Sequence, residues 1–312
     1  MQEIKMLEKK VTILVPVYGV EKYIDRCAES LFRQCYQNIE YIFVNDCTKD
    51  NSIEKLQQVL ANFPERKKQV RIINHLENQG LGGTRLTGLM AATGEYIWFV
   101  DSDDWVETNT LDKCRKYMND GCDMIGFGNY VEGQSFTKAM PLYSLEVSDV
   151  LTNAVSPSIW KCVVKRSLYH DYKIYPKLGI NNAEDFMMLA RLVLVAKNKV
   201  LLCNELLYHY NVANVNSYTN NINVRGYENS AQATLEVTDF YEKQGQVDKY
   251  KVALGCRISW SFLLLNECEP ACELVENLLD KAKNINTYIY VALHMPKMMA
   301  KVLIKLYKLV KL

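Results

Sequence analysis

Gly94–Trp105, GEYIWFVDSDDW, runs an apolar segment straight into three carboxylates, Asp101, Asp103 and Asp104. Tyr96 to Val100 is aromatic and β-branched and reads as a buried strand. The acids therefore sit at its C-terminal end, the edge of an open α/β sheet where ligands bind. Carboxylates this close raise one another's pKa unless a cation offsets them. Mg²⁺ and Mn²⁺ take hard oxygen ligands of this kind. The stretch predicts a divalent metal that in turn holds a phosphate.

Outward from this segment, short apolar runs alternate with helix-period stretches, the βαβ signature of a mainly parallel sheet. Strands are expected at Val11–Pro16, Tyr41–Val44, Val70–Ile73 and Tyr96–Val100. Helices are expected between them near Tyr23–Arg33, Ser52–Ala61 and Gly82–Ala92, the second carrying Ile53, Leu56, Val59 and Leu60 on one face. Further strands are read at Met124–Phe127 and across Pro157–Lys165, which carries Trp160 and Lys161. A helix over Ala183–Lys197 has Glu184 and Asp185 in its first turn, where the macrodipole favours negative charge. Beyond about Asn220 helical patterning takes over. The reading is an α/β domain over 1–220, its mainly parallel sheet flanked by helices, followed by a helical region over 221–312.

A chain of 312 residues with 49% hydrophobic content can build a full core. Lys+Arg 37 against Asp+Glu 36 leaves a formal charge of +1, so no global field draws in nucleic acid. The ten cysteines are scattered singly, and Cys268 and Cys272 lack zinc-ribbon spacing, which suits reduced thiols in a cytosol. The opening residues MQEIKMLEKK have no signal-peptide core, and no run approaches the ~20 apolar residues of a spanning helix. The expectation is a cytoplasmic protein, soluble or peripheral on the inner face of a membrane.

Val11–Val15 ends in Pro16–Val17–Tyr18–Gly19, and Tyr41–Val44 ends in Asn45–Asp46–Cys47–Thr48–Lys49–Asp50. Polar groups from three parallel strands should therefore converge on one crevice. VPVYGVEKYIDRCAESLFRQCYQNIEYIFVNDCTKDNS and then NQGLGGTRLTGLMAATGEYIWFVDSDDW resemble the family 2 glycosyltransferases of the GT-A fold, which use nucleotide sugars and invert the anomeric centre. The likeness is close from Val11 to Trp105, weaker to about Ser217, and does not cover the helical tail. It implies that Asp46 hydrogen-bonds the uracil of a UDP-sugar while Pro16 and Tyr18 line the base pocket. It also implies that Asp101 lies near the ribose, with Ser102 beside it, and that Asp103 reaches a Mn²⁺ or Mg²⁺ ion on the diphosphate. Arg85 occupies the family's usual basic position. Asn182–Phe186 resembles the family's Glu-Asp element, which makes Asp185 the base and leaves Glu184 to orient it or the acceptor.

Elementary chemistry supports these roles. A carboxylate accepts well from the imide N–H of uracil. A cation neutralises the charge that accumulates on a departing diphosphate. The acceptor hydroxyl must lose its proton as it attacks, which calls for a base. The expected activity is a one-sugar, metal-dependent transfer of hexosyl or N-acetylhexosaminyl type to a glycan or lipid-linked acceptor in surface polysaccharide synthesis. The Gln-x-x-Arg-Trp motif of processive synthases is absent.

The departures and the plainer readings stand beside this. Cys47 takes a turn position that the family usually gives to glycine, and Asn211 follows Tyr208–His209–Tyr210 where the family often has arginine. Those two departures motivate the alternative of a non-catalytic nucleotide-sugar-binding or assembly subunit. His209 is a candidate metal ligand or a structural histidine among tyrosines. Asp50 reads as a turn or helix-capping residue. Trp160 is either a core anchor or an acceptor platform. Gly80–Leu81–Gly82–Gly83 fails the dinucleotide fingerprint at Arg85, which disfavours an oxidoreductase.

Near the C-terminus, at ~100° per residue, Met298, Met299, Val302, Leu303, Leu306, Leu309 and Val310 fall on one side of a helix and Lys297, Lys301, Lys305, Lys308 and Lys311 on the other. Such a cationic amphipathic helix either docks on an anionic membrane or packs its apolar stripe on the protein.

Overall fold

The computed structural model describes residues 8–196, 200–214, 224–265, 272–295 and 297–311. In chain order the elements begin β1 (Val11–Val17), α1 (Ile24–Phe32), β2 (Ile39–Asn45), α2 (Ser52–Ala61), β3 (Val70–Asn74), α3 (Gly80–Ala91) and β4 (Tyr96–Phe99). Next come β5 (Trp105–Val106), α4 (Thr110–Asn119), β6 (Met124–Glu132), β7 (Thr137–Met140), α5 (Val147–Leu151), β8 (Cys162–Lys165) and α6 (Arg166–Asp171). The last are α7 (Glu184–Val195), β9 (Val200–Asn211), α8 (Val224–Lys243), α9 (Val247–Leu265), α10 (Cys272–Ile285), α11 (Thr287–Leu293) and α12 (Lys297–Lys311).

The residues divide into two compact units, one of Met1–Tyr143, Ile159–Gly179 and Val195–Val215, the other of Ser144–Ser158, Ile180–Leu194 and Asn216–Leu312. The first holds a sheet of strand order β3-β2-β1-β4-β8-β6-β9-β5, with β7 alongside β6. β3, β2, β1 and β4 are parallel. β8 is antiparallel to both β4 and β6, β9 is parallel to β6, and β5 is antiparallel to β9. Val11–Val15 and Ile39–Val44 are buried throughout, so Ile13–Val15 and Tyr41–Val44 read as continuous apolar runs, with Thr12 and Glu40 the buried polar exceptions at the strand starts. Trp98 anchors the centre of the sheet, its Nε1–H donating to Trp160 O at 2.9 Å.

Pro16 sits inside a central strand, where a missing N–H is usually costly. Pairing of β1 with β4 ends at Leu14↔Phe99, and the last bond on that side is Val100 N–H to Leu14 O. The proline faces the side where β4 has already turned away, so no ladder bond is lost. The turn consists of the acidic residues themselves.

Two expectations shift. Ile159–Lys161 forms a short 3₁₀ turn, and the strand expected from Pro157 begins at Cys162. The division expected near residue 220 is crossed by α5 and α7, which join the helical unit. Tyr241 Oη donates to Ala190 O at 2.7 Å, the Arg257 guanidinium lies 3.5 Å over the Phe186 ring, and its Nη1 donates to Asn153 Oδ1 at 3.0 Å. The cysteines at 27, 35, 47, 114, 122, 162, 203 and 256 are all free thiols. Cys268, Lys197 and the side chains of Cys272 and of residues 306–312 lie outside the described residues.

Candidate active site

The register of β1, β2 and β3 makes their carboxyl ends level, Val17 pairing with Asn45 and Asn45 with Asn74. The residues that follow are Tyr18 after β1, Asp46 after β2, His75 after β3 and, beyond β4, Asp101. Tyr18 is exposed, a free aromatic face at the rim. Asp46 is buried and firmly held. Its Oδ1 lies 2.7 Å from His75 Nδ1 and accepts Gln79 N–H at 2.8 Å, while Oδ2 accepts Gly80 N–H at 2.8 Å. The carboxylate thus caps the N-terminus of α3, where the helix dipole favours a negative charge. His75 is fixed in turn, with Nε2 2.9 Å from Thr87 Oγ1. A carboxylate oxygen accepts two bonds, so Oδ2 retains capacity for a further donor.

The turn after Asp46 explains both Cys47 and Asp50. Cys47 adopts φ +59, the left-handed region in which glycine is at ease. The turn is nonetheless held from both sides. Thr48 N–H donates to Asn45 Oδ1 at 2.9 Å, and Thr48 Oγ1 accepts Gly19 N–H at 2.9 Å. Asp50 accepts Glu21 N–H at 3.0 Å and Ser52 N–H at 3.2 Å. Burial raises the Asp50 pKa, but the bonds from Ser52, Thr48 and Glu21 outweigh it and leave the carboxyl below its ordinary value. Asp50 is the turn residue that its position suggested.

The acidic loop after β4 sorts its three members. Asp101 is 24% exposed, and its Oδ1 accepts from Arg85 Nη2 at 2.7 Å. Arg85 is buried on α3, so it meets Asp101 rather than open solvent. Ser102 is buried between the acids. Asp103 Oδ2 accepts from Asn214 Nδ2 at 2.7 Å. Its pKa is pushed up to about 6, first by burial and then by the charge of Asp101, against a lowering by Asn214.

Asp104 turns inward, which removes it from the expected ligand set. Its Oδ1 accepts Asn211 N–H at 2.8 Å and its Oδ2 accepts from Tyr208 Oη at 2.6 Å. Burial and its two acidic neighbours push its pKa well up. Tyr208 Oη also accepts Asp101 N–H at 3.1 Å, clamping both ends of the loop. Asn211 adds a bond from Nδ2 to Asp103 O at 3.1 Å, so the residue that departs from the family pattern is itself part of the scaffold.

His209 is not available as a metal ligand. Cross-strand register places it opposite Trp105 on β5 and Tyr130 on β6. Its ring stacks between them at centroid distances of 5.1 and 4.8 Å. Its Nδ1 lies 2.7 Å from Glu132 Oε1 and its Nε2 2.9 Å from Glu107 Oε1. Trp160 likewise resolves as a core anchor, buried and stacked on Tyr208 at 4.3 Å.

Among the described residues no group of three or more His, Cys, Asp or Glu side chains is placed to enclose a metal ion. Asp103 nonetheless suits one. It is a half-buried carboxylate whose charge is opposed by partial desolvation and by a second carboxylate, conditions a divalent cation relieves.

In the helical unit, Glu184 and Asp185 open α7. Ala183, immediately before them, sits at φ +66 and still accepts the first helical bond, Met187 N–H to Ala183 O at 2.9 Å. Left-handed backbone at a residue with a Cβ costs roughly 1–2 kcal/mol and persists where its surroundings impose it. The preceding loop is pinned to α8 by Asn181 N–H to Asn229 Oδ1 at 3.0 Å and Asn182 Nδ2 to Gly226 O at 2.9 Å. Glu184 is buried, and Asp185 is partly exposed.

Sequence reading missed His75, Asn214 and the clamp made by Tyr208. Only His75 left a trace, as a polar side chain at the end of the third strand.

A mixed sheet of this order, flanked by helices and carrying acids at its parallel edge, is an α/β architecture of GT-A type. It aligns with Staphylococcus aureus TarS 1-349, solved in complex with UDP-GlcNAc, at a TM-score of 0.73 and 20% identity, covering 96% of this chain and 90% of that one. The mannosyltransferase PcManGT of Pyrobaculum calidifontis, solved with GDP-Man and Mn²⁺, aligns at a TM-score of 0.55 and 15% identity, covering 98% of this chain and 87% of that one. EpsJ of Bacillus subtilis (strain 168), described as an uncharacterized glycosyltransferase, is 30% identical over 276 residues, 83% of this chain and 78% of its own. Residues 12–173 match Glycosyl transferase family 2, and the chain belongs to that family.

Proposed function

We propose that the chain is a cytoplasmic, inverting, metal-dependent glycosyltransferase. It moves one hexosyl or N-acetylhexosaminyl unit from a nucleotide diphosphate donor, of uridine type, to a hydroxyl of a glycan or lipid-linked acceptor in surface polysaccharide synthesis. The observation that carries this reading is the acidic edge, where Asp46 follows β2 and Asp101 and Asp103 follow β4 at the same carboxyl end of the parallel strands, with β1 between, and the Asp103 pKa is pushed up to about 6. The complexes of TarS with UDP-GlcNAc and of the mannosyltransferase with GDP-Man and Mn²⁺ support the donor class and the metal.

Within this reading Asp46 accepts the imide N–H of the base, and Tyr18 and Pro16 flank the ring. Asp101, steadied by Arg85, faces the ribose. Asp103 is the protein ligand of Mn²⁺ or Mg²⁺, and such an ion, when bound, neutralises charge on the leaving diphosphate. The acceptor oxygen bonds to the anomeric carbon as the bond from that carbon to the diphosphate oxygen breaks. The electron pair leaves with the nucleoside diphosphate, and the hydroxyl proton passes to the Asp185 carboxylate. The eight cysteines among the described residues are free thiols, which fits a reducing cytoplasm.

The test is nucleotide release from a panel of UDP- and GDP-sugars with Mn²⁺, Mg²⁺ or chelator, for the parent, Asp103→Ala and Asp185→Asn. Asp103→Ala should lose activity together with its response to metal. Asp185→Asn should bind donor as the parent does and transfer about 10²–10⁴-fold more slowly. Parent-rate transfer by Asp185→Asn refutes the base assignment, and chelator-resistant turnover refutes the metal.

A further inference from the structure

We propose that α12 is a docking surface for an anionic lipid bilayer, lying along the membrane rather than packing its apolar stripe on the protein. Over the described side chains, residues 298–305, the packing face of α12 takes only Leu303 from the stripe that its sequence presents. Ala300 is 1% exposed, and Leu303 and Ile304 are partly covered, on the side turned toward α9 and α11. Met298, Met299 and Val302 project from a different side and are 80%, 53% and 55% exposed. Lys301 and Lys305 are exposed on a third side, flanking the open apolar one. Over residues 298–305 the helix thus has two apolar faces, one occupied and one open. On the adjoining α11, Val291 and Tyr288 are also exposed, and Tyr288 Oη donates to Leu303 O at 3.4 Å.

The charge pattern selects the occupant. No Asp or Glu occurs between Lys297 and Leu312, which carries five lysines. A second copy of the chain packed on this face through a two-fold axis would bring like charges together, whereas anionic headgroups complement them. Unbranched methionines adapt to an irregular acyl boundary, and lysine stems run along it while their ammonium groups stay at headgroup level. No helix among the described residues is long and apolar enough to cross a membrane, which leaves an interfacial orientation for α12.

The full chain should be sedimented with vesicles of phosphatidylcholine alone and with vesicles containing 30 mol% phosphatidylglycerol, across a salt series. Binding is expected on the anionic vesicles only. Each lysine neutralised, as in Lys301→Gln or Lys305→Gln, should weaken it about fivefold. Met298→Glu with Val302→Glu should abolish binding, with an unchanged thermal melt showing that the fold is intact because both side chains are exposed. Salt near 1 M should release the protein, since the screening length is then about 3 Å. Absent binding, equal binding to neutral vesicles, or a dimer that the glutamate variant dissociates would each overturn the proposal. None of these readouts depends on sugar transfer.

Discussion

At the scale of single residues, the acids of the edge were legible because carboxylates at the ends of apolar runs have few structural reasons to be there. Histidines were not. His75 and His209 look alike in sequence, each a lone imidazole in a polar setting, and only strand register separates them. His209 falls opposite two aromatic residues and between two glutamates, whereas His75 falls beside Asp46. If Asp46 holds the base as proposed, His75 acts through that carboxylate as a positioning residue. Hydrogen bonds to charged groups contribute about 1.5–3 kcal/mol, so His75→Ala should weaken UDP binding about tenfold or more by titration calorimetry. Turnover at saturating donor should fall far less, because the reacting atoms are not touched. His75→Asn, which keeps a donor near Asp46, should recover part of the affinity. An unchanged UDP affinity in the alanine variant would take His75 out of the donor site. Cys47 gave the opposite lesson, since glycine's absence from that turn was visible in sequence and the structure bears the strain at φ +59.

At the scale of elements, β1, β2 and β4 were readable because strands buried on both faces are mostly apolar runs, and the edge strand β3 by its short Val-x-Ile-Ile pattern. β9 was not, since VLLCNELLYHYN alternates poorly and its register against β6 shifts between Phe127 and Asn129. β5 is too short to carry a pattern. The parallel strands also have a lock at the end opposite the acids. Glu40, on β2, accepts from Thr12 Oγ1 on β1 at 2.6 Å, from Thr93 N–H before β4 at 2.8 Å and from Lys10 Nζ at 3.4 Å. Burial pushes its pKa up, but the bonds from Thr12 and Thr93 and the charge of Lys10 overcome this and hold it below 4.5. A carboxyl with a depressed folded pKa stabilises above the unfolded value, and that contribution disappears as pH falls through the folded one. Glu40→Gln should therefore cost about 1–3 kcal/mol at pH 7. The gap to the parent should begin to narrow as pH falls below the ordinary carboxyl value and close only below the lower folded pKa, where Glu40 is neutral in both states. Parallel melting curves across that range, with a constant gap, would show that the charge at Glu40 contributes nothing.

At the scale of the whole molecule, periodicity finds helices but does not say which of them share a core. α7 was legible as a helix and so was the start of the helical region, yet nothing local to Glu184–Val195 reveals that its partners lie forty or more residues downstream. The helical unit is assembled from three separate segments of chain. Its joints are specific: Tyr241 to Ala190, Arg257 to Phe186 and Asn153, Asn182 to Gly226. Burial also holds the Arg257 pKa down to about 9, and its guanidinium is satisfied by Thr234, Asn153 and two aromatic faces. A chain ended at Val215 keeps α5 and α7 but loses α8 and α9, which supply Gly226, Tyr241 and Arg257. Phe186 and Ala190, buried in the full chain, would lose those partners. That fragment should bind a hydrophobic dye strongly, sediment as aggregate and lack a cooperative melt. Arg257→Met, which keeps the volume and removes the charge, should retain the parent's cooperativity in the full chain, because a buried charge replaced by a well-packed apolar group is often neutral. A soluble 1–215 fragment that melts as sharply as the full chain would show that the sheet-bearing part folds without the helices that α7 packs against, and that the division near residue 220 is the physical one.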